Sequence, residues 1–411
     1  MNGQKLEALR DRIFAALGRG AVREARRSIE KLRRYEPAEA ASLLTALCIE
    51  ERDAKGALKA WQECRARAPH EPYTIFLRAR IHLLMGERRA ALRILTPLFD
   101  APMSAEVAEK VYNLAGQCAR FLGAADKAVG FYARARDAAP NLALRALNAS
   151  NVLFNRHYLP ATLAEDRTAA EEYGALFADV KTFDHTAHRW GARLRIGYLS
   201  PDVREHVVLS FSYALMTALD PARFEIFVYA MNAEDHFTEN VRQSVDVFRN
   251  LARFSAEEAA RAIYRDGIDI LVDLAGHTQG NALPVLAHRP APVQVTGIGY
   301  FNTTGLPAID YMLSDVHVDP IGAEDDSFSE EMIRLPHSHF CYMLPEDLPS
   351  LTPPPMERRG YVTFGSFNNF SKVTDEVLRL WGTLLERVPR SRLLLKSKLF
   401  GSAEGRELAA E

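Results

Sequence analysis

No CxxC pair, no GxGxxG turn and no Walker A pattern occur anywhere in this sequence, and no convincing DxD stands in a turn. The first absence removes the usual thiolate metal and redox sites; the next two remove most nicotinamide enzymes and P-loop nucleotidases. Four scattered cysteines, Cys48, Cys64, Cys118 and Cys341, imply reduced thiols in a cytoplasmic compartment. No secretory h-region or bilayer-spanning apolar run is present, so no membrane partner is expected. Charge of either sign is also lacking in excess: 51 Lys and Arg against 53 Asp and Glu leave −2. Such a balance gives no field to gather nucleic acid.

What remains is an ordinary globular composition, 48% hydrophobic and 25% charged over 411 residues, long enough for two or three domains. Residues 1–147 are rich in Ala, Leu, Arg and Glu at helical periods, with few glycines. Ala25, Ala57, Ala91 and Ala128 recur at a period of roughly 34, as helix-hairpin repeats do. Pro37, Pro69, Pro102 and Pro140 follow them, and Gly20, Gly86 and Gly123 precede three of them. Small alanines let two helices approach, glycine permits the turn and proline ends the unit. The pattern resembles tetratricopeptide repeats, most clearly in YNLAGQCARFLGAADKAVGFYARARDAAP (residues 112–140). A generic helical bundle is the alternative. A stacked-hairpin surface would hold an extended protein partner and carry no chemistry.

Residues 148–190 read as connecting helices with a polar lead-in. His185 and His188 there, without further ligands nearby, read as loop residues. From 191 to 357, strand and helix alternate: strands near Leu194–Leu199, Phe224–Tyr229, Ile268–Leu274 and Val293–Gly299, with helices over Val207–Leu219 and Ser255–Arg265. Such alternation means a parallel, doubly wound sheet, whose ligands gather at the carboxyl ends of the strands. The third strand ends in AGHTQG (275–280) and the fourth in YFNTTG (300–305), and both should open onto one crevice. His206 follows the first strand in SPDVREH, at the start of a helix. A histidine there can take a proton from a hydroxyl or bond a substrate, and His277 at a second strand end strengthens that reading.

His337 and His339 alternate in a proline-bearing loop after the acidic segment AEDDSFSEEM, with no ligand set to support a metal. A further α/β unit opens near residue 358. Its turn Asn368–Lys372 is polar, carries a lysine and precedes a helix amino terminus, a combination suited to phosphate.

The segments RIGYLSPDVREH, DILVDLAGHTQGN, HRPAPVQVTGIGYFNTTGLPAIDYMLSD and YVTFGSFNNFSKVTDEVLRLWGTLLERVPRSRLLLKSK together resemble the SPINDLY and O-GlcNAc transferase family, glycosyltransferase family 41. The resemblance implies an α-helical repeat solenoid followed by an α/β GT-B glycosyltransferase. Its N-terminal Rossmann-like lobe would be complete and its C-terminal lobe, residues 358–411, truncated. It implies inverting, metal-free transfer of a sugar, N-acetylglucosamine above all, from a nucleotide donor to Ser or Thr of a protein. No cofactor is implied. UDP-GlcNAc is the implied donor and GDP-fucose the alternative. By match of motif, His206 stands at the active-site histidine and Lys372 at the lysine contacting the donor diphosphate. His277, Thr278, Tyr300, Thr303, Thr304 and Asn369 stand at substrate- or donor-binding positions.

Two departures stand out. Gly297 and Phe301 replace a tryptophan and a proline of the family's W-I-G-Y-P, and most of the second lobe's nucleotide-holding segments are missing. The expectation is therefore a transferase incomplete as this chain. The alternative is a repeat scaffold for protein binding with a vestigial lobe.

Overall fold

The computed structural model describes residues 3–322, 325–343 and 348–410. Ala323 and Glu324 of the acidic segment, and residues 344–347 of the proline-bearing loop, lie outside the described residues. The chain divides into two compact units, Met1–Pro140 with Pro353–Glu411, and Asn141–Thr352.

The first unit opens with α1 (Gly3–Gly18), α2 (Val22–Leu32), α3 (Pro37–Glu50), α4 (Ala54–Arg67), α5 (Pro72–Leu84), α6 (Arg88–Leu95), α7 (Ala105–Phe121) and α8 (Ala125–Ala138). They pair as four helix hairpins, each packing on the next. The four periodic alanines have no exposed surface, because each sits where two helices approach most closely. The hairpin turns need a left-handed residue: Gly20, Gly86 and Gly123 have φ of 67°, 83° and 77°. In the second hairpin Arg52 takes that place at φ 59°, which is why glycine spacing alone shows only three turns. Gly116 allows the closest approach, since a Cβ there would lie 2.8 Å from the Tyr132 ring.

The second unit begins with α9 (Leu142–Arg156) and α10 (Leu163–Ala175). Ala146, Ala149 and Leu153 of α9 bury against Tyr173 and Phe177 rather than continuing the repeat stack. The compact units thus divide at Pro140 and Thr352, slightly before the boundaries read from composition at 147 and 357. The sheet comprises β1 (Leu194–Ser200), β2 (Phe224–Ala230), β3 (Val247–Asn250), β4 (Ile270–Asp273), β5 (Val293–Gly297), β6 (Tyr311–Asp315) and β7 (Glu331–Leu335). Between them run α11 (Val207–Thr217), α12 (His236–Ser244), α13 (Ala256–Arg265) and α14 (Leu283–Leu286).

All neighbouring strands are parallel, in the order β3-β2-β1-β4-β5-β6-β7. The chain winds outward from β1 to β3, then crosses back to β4 and winds the other way. The topological switch point therefore lies between β1 and β4, where Leu199 pairs with Asp273. Loops leaving those two strands must diverge to opposite faces, opening a crevice at their carboxyl ends. Tyr229, Leu199, Leu271 and Ile263 form part of the core on one face, and Tyr198, Val228 and Met216 on the other.

After residue 352 come α15 (Pro355–Arg359), β8 (Thr363–Ser366), α16 (Asp375–Arg387), β9 (Arg392–Leu395) and α17 (Ala403–Ala410). β8 and β9 pair in parallel across α16, the strand-helix-strand unit that the sequence suggests. Among the described residues no helix is long and apolar enough to cross a membrane.

Candidate functional site

The loop after β1 is held from three sides. Asn232 accepts from the backbone N–H of Val203 at 3.1 Å and donates to its carbonyl oxygen at 3.1 Å. Thr238 Oγ1 donates to that same carbonyl at 2.7 Å, and Asp235 accepts from the Glu205 N–H at 2.7 Å. So fixed, the turn delivers His206 to the N-cap of α11, where its Nδ1 accepts from the N–H of Val208 at 3.3 Å. The buried Asp202 carboxylate stands 3.5 Å from the same nitrogen. His206 is exposed, with that carboxylate behind it.

The loop after β4 is built on Asp273, whose side chain is fully buried. It accepts from the N–H groups of Ala275 (3.2 Å) and Gly276 (2.7 Å) and from Thr296 Oγ1 (2.8 Å). Burial pushes this carboxyl's pKa up, while those three donors oppose the shift. Gly276 turns at φ 51°, and a Cβ there would lie 2.4 Å from Cβ of Tyr300; only glycine fits.

His277 follows, and it is not open to a ligand. Its Nε2–H donates to the Thr304 carbonyl at 2.9 Å, leaving Nδ1 to accept from Ser150 Oγ at 3.0 Å. Its ring meets Tyr173 and Tyr300 edge-on, with centroids 4.5 and 5.3 Å away. Burial holds its pKa down to about 3, so the ring is neutral and joins three segments. Thr278 turns its hydroxyl inward onto the Ala275 carbonyl at 2.8 Å.

The loop after β5 begins with strain. Ile298 has φ 70°, and the N–H of Gly299 donates to the Gly297 carbonyl at 2.9 Å, closing a three-residue turn around a β-branched residue. A conformation of that kind costs on the order of 1–3 kcal/mol and persists only where the surroundings dictate it. They do so at Tyr300, Thr303, Thr304 and Gly305. The Tyr300 hydroxyl donates to Nε2 of His157 at 2.7 Å; burial lowers the pKa of that histidine and keeps it a neutral acceptor. Buried Glu330 accepts from Thr303 Oγ1 at 2.7 Å, from the Thr304 N–H at 2.8 Å, and from the Thr304 hydroxyl. Gly305 and Gly174 of α10 bring two backbones together so closely that a Cβ on either would lie 1.9 Å from a carbonyl oxygen. Thr303 and Thr304 are therefore anchors of the loop.

At the end of β6, Asp315 accepts from the N–H groups of His317 (2.8 Å), Val318 (2.9 Å) and His339 (3.0 Å), and from Nδ1 of His339 at 2.6 Å. The two His339 bonds, backbone first, hold this carboxyl well below the usual range.

Six of the eight site residues named from sequence thus share the carboxyl edge of one sheet. Of these, His206 is partly open, while His277, Tyr300, Thr303 and Thr304 are buried and internally bonded. Asn369 and Lys372 belong to the other unit. Asn369 Oδ1 accepts from the Ser371 N–H at 3.3 Å, closing a single 3-10 turn over Phe370–Lys372 just before α16, and Lys372 is exposed. Sequence reading missed Ser150, His157, Tyr173, Asp202, Asp273 and Glu330. His185 and His188 are tied to the Arg289 carbonyl and to Asp269 at 2.8 and 2.6 Å. Among the described residues no group of three or more His, Cys, Asp or Glu could hold a metal ion.

Helix hairpins followed by a parallel, doubly wound sheet define a repeat-bearing α/β protein. Residues 171–351 match the model for "Glycosyl transferase family 41". A "Probable UDP-N-acetylglucosamine--peptide N-acetylglucosaminyltransferase SPINDLY" of Petunia hybrida is 40% identical over 214 residues, covering 51% of this chain and 23% of that protein. Its counterpart of the same name in Arabidopsis thaliana is 41% identical over 212 residues, covering 50% and 23%. The chain thus spans less than a quarter of the length of these curated relatives. Among solved structures, a mutant O-GlcNAc transferase from Thermobaculum terrenum superposes with a TM-score of 0.68 at 26% identity, covering 98% of this chain and 72% of that one.

Proposed function

We propose that the chain is part of a protein O-glycosyltransferase that moves N-acetylglucosamine from UDP-GlcNAc to a Ser or Thr hydroxyl of a protein acceptor. The observation that carries this reading is His206, delivered to a helix N-cap at the switch point with Asp202 3.5 Å behind it. For Nε2 to serve as the base the proton must sit on Nδ1, so the proposed step requires Nδ1 to exchange the Val208 N–H, from which it accepts at 3.3 Å, for the Asp202 carboxylate at 3.5 Å when substrate binds.

In the proposed step the acceptor hydroxyl gives its proton to Nε2 as its oxygen forms a bond to the sugar's anomeric carbon. The bond from that carbon to the diphosphate breaks on the opposite side, inverting the centre, and UDP leaves with the electron pair. Charge accumulates on the leaving diphosphate, and we assign the Lys372 ammonium as its counter-ion. His277, Tyr300, Thr303 and Thr304 act behind the surface, holding the β4 and β5 loops where substrate meets them.

The names of the relatives support the UDP-GlcNAc donor and a peptide acceptor. We further assign parts of the acceptor protein remote from the reacting hydroxyl to the surface of the helix hairpins, and the protein to a reducing cytoplasm in keeping with its four free cysteines. Incubation of the chain, with the missing second-lobe segments supplied in trans, with UDP-GlcNAc or GDP-fucose and a Ser/Thr-bearing acceptor, read by intact mass, tests the assignment. An N-acetylhexosamine increment is expected; a deoxyhexose increment would move the donor to GDP-fucose, and no increment with either would refute the reading.

A further inference from the structure

The β5 loop presents a contradiction that its own packing does not resolve. From Ile298 to Gly305 it is strained at one end, bonded at Tyr300, Thr303 and Thr304, and pressed against α10 at the other. Yet Phe301, in the middle, is 54% exposed. A loop held this firmly does not leave an aromatic ring in water by looseness. Phe301 is also one end of a continuous apolar strip. Its ring meets that of Phe340 at 5.8 Å, Phe340 meets Phe211 at 4.8 Å, and Phe211 meets Tyr342 at 5.1 Å. The N–H groups of Cys341 and Met343 bond the carbonyls of Phe211 and Ser210 at 3.3 and 3.2 Å, laying this segment along α11. One turn back on the same face is Val207, adjacent to His206. Tyr342, Met343 and Val207 are 51%, 47% and 62% exposed. Among the described residues nothing covers them.

We infer that this strip, Phe301–Phe340–Phe211–Tyr342 with Met343 and Val207, is the surface that reads the acceptor polypeptide, seating an apolar or aromatic side chain next to the hydroxyl presented to His206. The inference rests on the transferase reading and deepens it. Three features choose a peptide over the nucleotide-sugar. None of the six residues carries a charge, so a diphosphate would find no counter-ion on the strip. The rings meet at 74°, 51° and 43°, a mosaic of edges suited to a branched or aromatic side chain and not a flat platform for a base. The strip also runs without a break from the candidate base. Because the β5 loop is already ordered, binding there costs little conformational entropy.

The test is the affinity of the full chain for fluorescein-labelled, uncharged Ser peptides that differ only in one residue beside the Ser, Phe or Leu against Gln. Wild type should bind the Phe and Leu peptides at least tenfold tighter than the Gln peptide. The double variant Phe301→Ser, Tyr342→Ser should lose that preference while binding UDP as wild type does, and Phe301→Leu should restore part of it. Unchanged thermal unfolding of the variants keeps the comparison valid. Equal affinity for all peptides in wild type, or a preference that survives the double variant, overturns the inference; so does loss of UDP binding instead, which would assign the strip to the donor. The two readings fail separately. Sugar transfer without an apolar preference sinks only the strip, and an apolar preference without binding of any nucleotide-sugar sinks only the transferase.

Discussion

The imidazole of His277 donates from Nε2 to the carbonyl oxygen of Thr304 at 2.9 Å, tying the loop after β4 to the loop after β5. With Ser150 on its other nitrogen, this one buried ring joins α9 to both loops of the candidate site. The bond explains why two loops far apart in sequence keep one relative geometry.

Removing the ring should therefore destabilise the second unit rather than merely weaken binding. His277→Ala leaves the Ser150 hydroxyl and the Thr304 carbonyl buried without partners and opens a cavity, at a cost of about 2–4 kcal/mol. Urea denaturation at neutral pH measures it.

The same ring imposes a pH dependence. Its folded pKa, about 3, lies below the ordinary value of 6.5, so protons bind the unfolded chain first as pH falls. Stability attributable to this group is complete above about 6.5 and is lost on acidification towards 3. The slope approaches about 1.4 kcal/mol per pH unit for one proton. Denaturation midpoints at pH 7 and pH 5 should converge less in wild type than in His277→Gln, which has no titrating ring.

Glu330 should matter more than its place in an acidic run suggests. Glu330→Ala strips partners from the buried Thr303 and Thr304 hydroxyls and from one buried N–H. The expected loss is about 2–4 kcal/mol, read from the same urea curves, with a further drop in any transfer activity through the loosened β5 loop.

Two glycine substitutions should differ in sign. Gly276→Ala meets the Tyr300 side chain and sits at φ 51°, costing about 2–3 kcal/mol or more. Gly130→Ala, inside α8 with open space around its ideal Cβ, should stabilise by about 0.5–1 kcal/mol. Thermal unfolding of the two variants separates them.

How much of this was legible in the residues depends on range. The strands nearest the switch point are short apolar runs ended by Pro, Asp, Gly or Asn within two residues, and β1, β2, β4 and β5 are readable from that pattern. β3 and β6 are not: Val247–Asn250 is a four-residue edge with a charged member, and Tyr311–Asp315 follows its loop without a break in composition. His206 is visible because strand, turn and helix start are contiguous. The roles of His277 and Thr304 are not, because their partners Ser150 and Glu330 lie 127 and 26 residues away. A polar residue after a strand looks the same in sequence whether it faces a ligand or a distant helix. Arg52 hides the second hairpin turn for a comparable reason: a left-handed turn usually signals glycine, and here packing imposes it on a larger residue.

The most direct measurement is sugar transfer and nucleotide binding by wild type, His206→Ala, Asp202→Asn and Lys372→Ala, with intact acceptor mass and calorimetry as readouts. If His206 is the base and Lys372 the diphosphate contact, His206→Ala lowers transfer at least about 100-fold, as loss of a general base does, with UDP affinity retained. Asp202→Asn lowers transfer less, and Lys372→Ala weakens UDP binding. Transfer undiminished in His206→Ala, or wild-type UDP affinity in Lys372→Ala, would contradict the assignment.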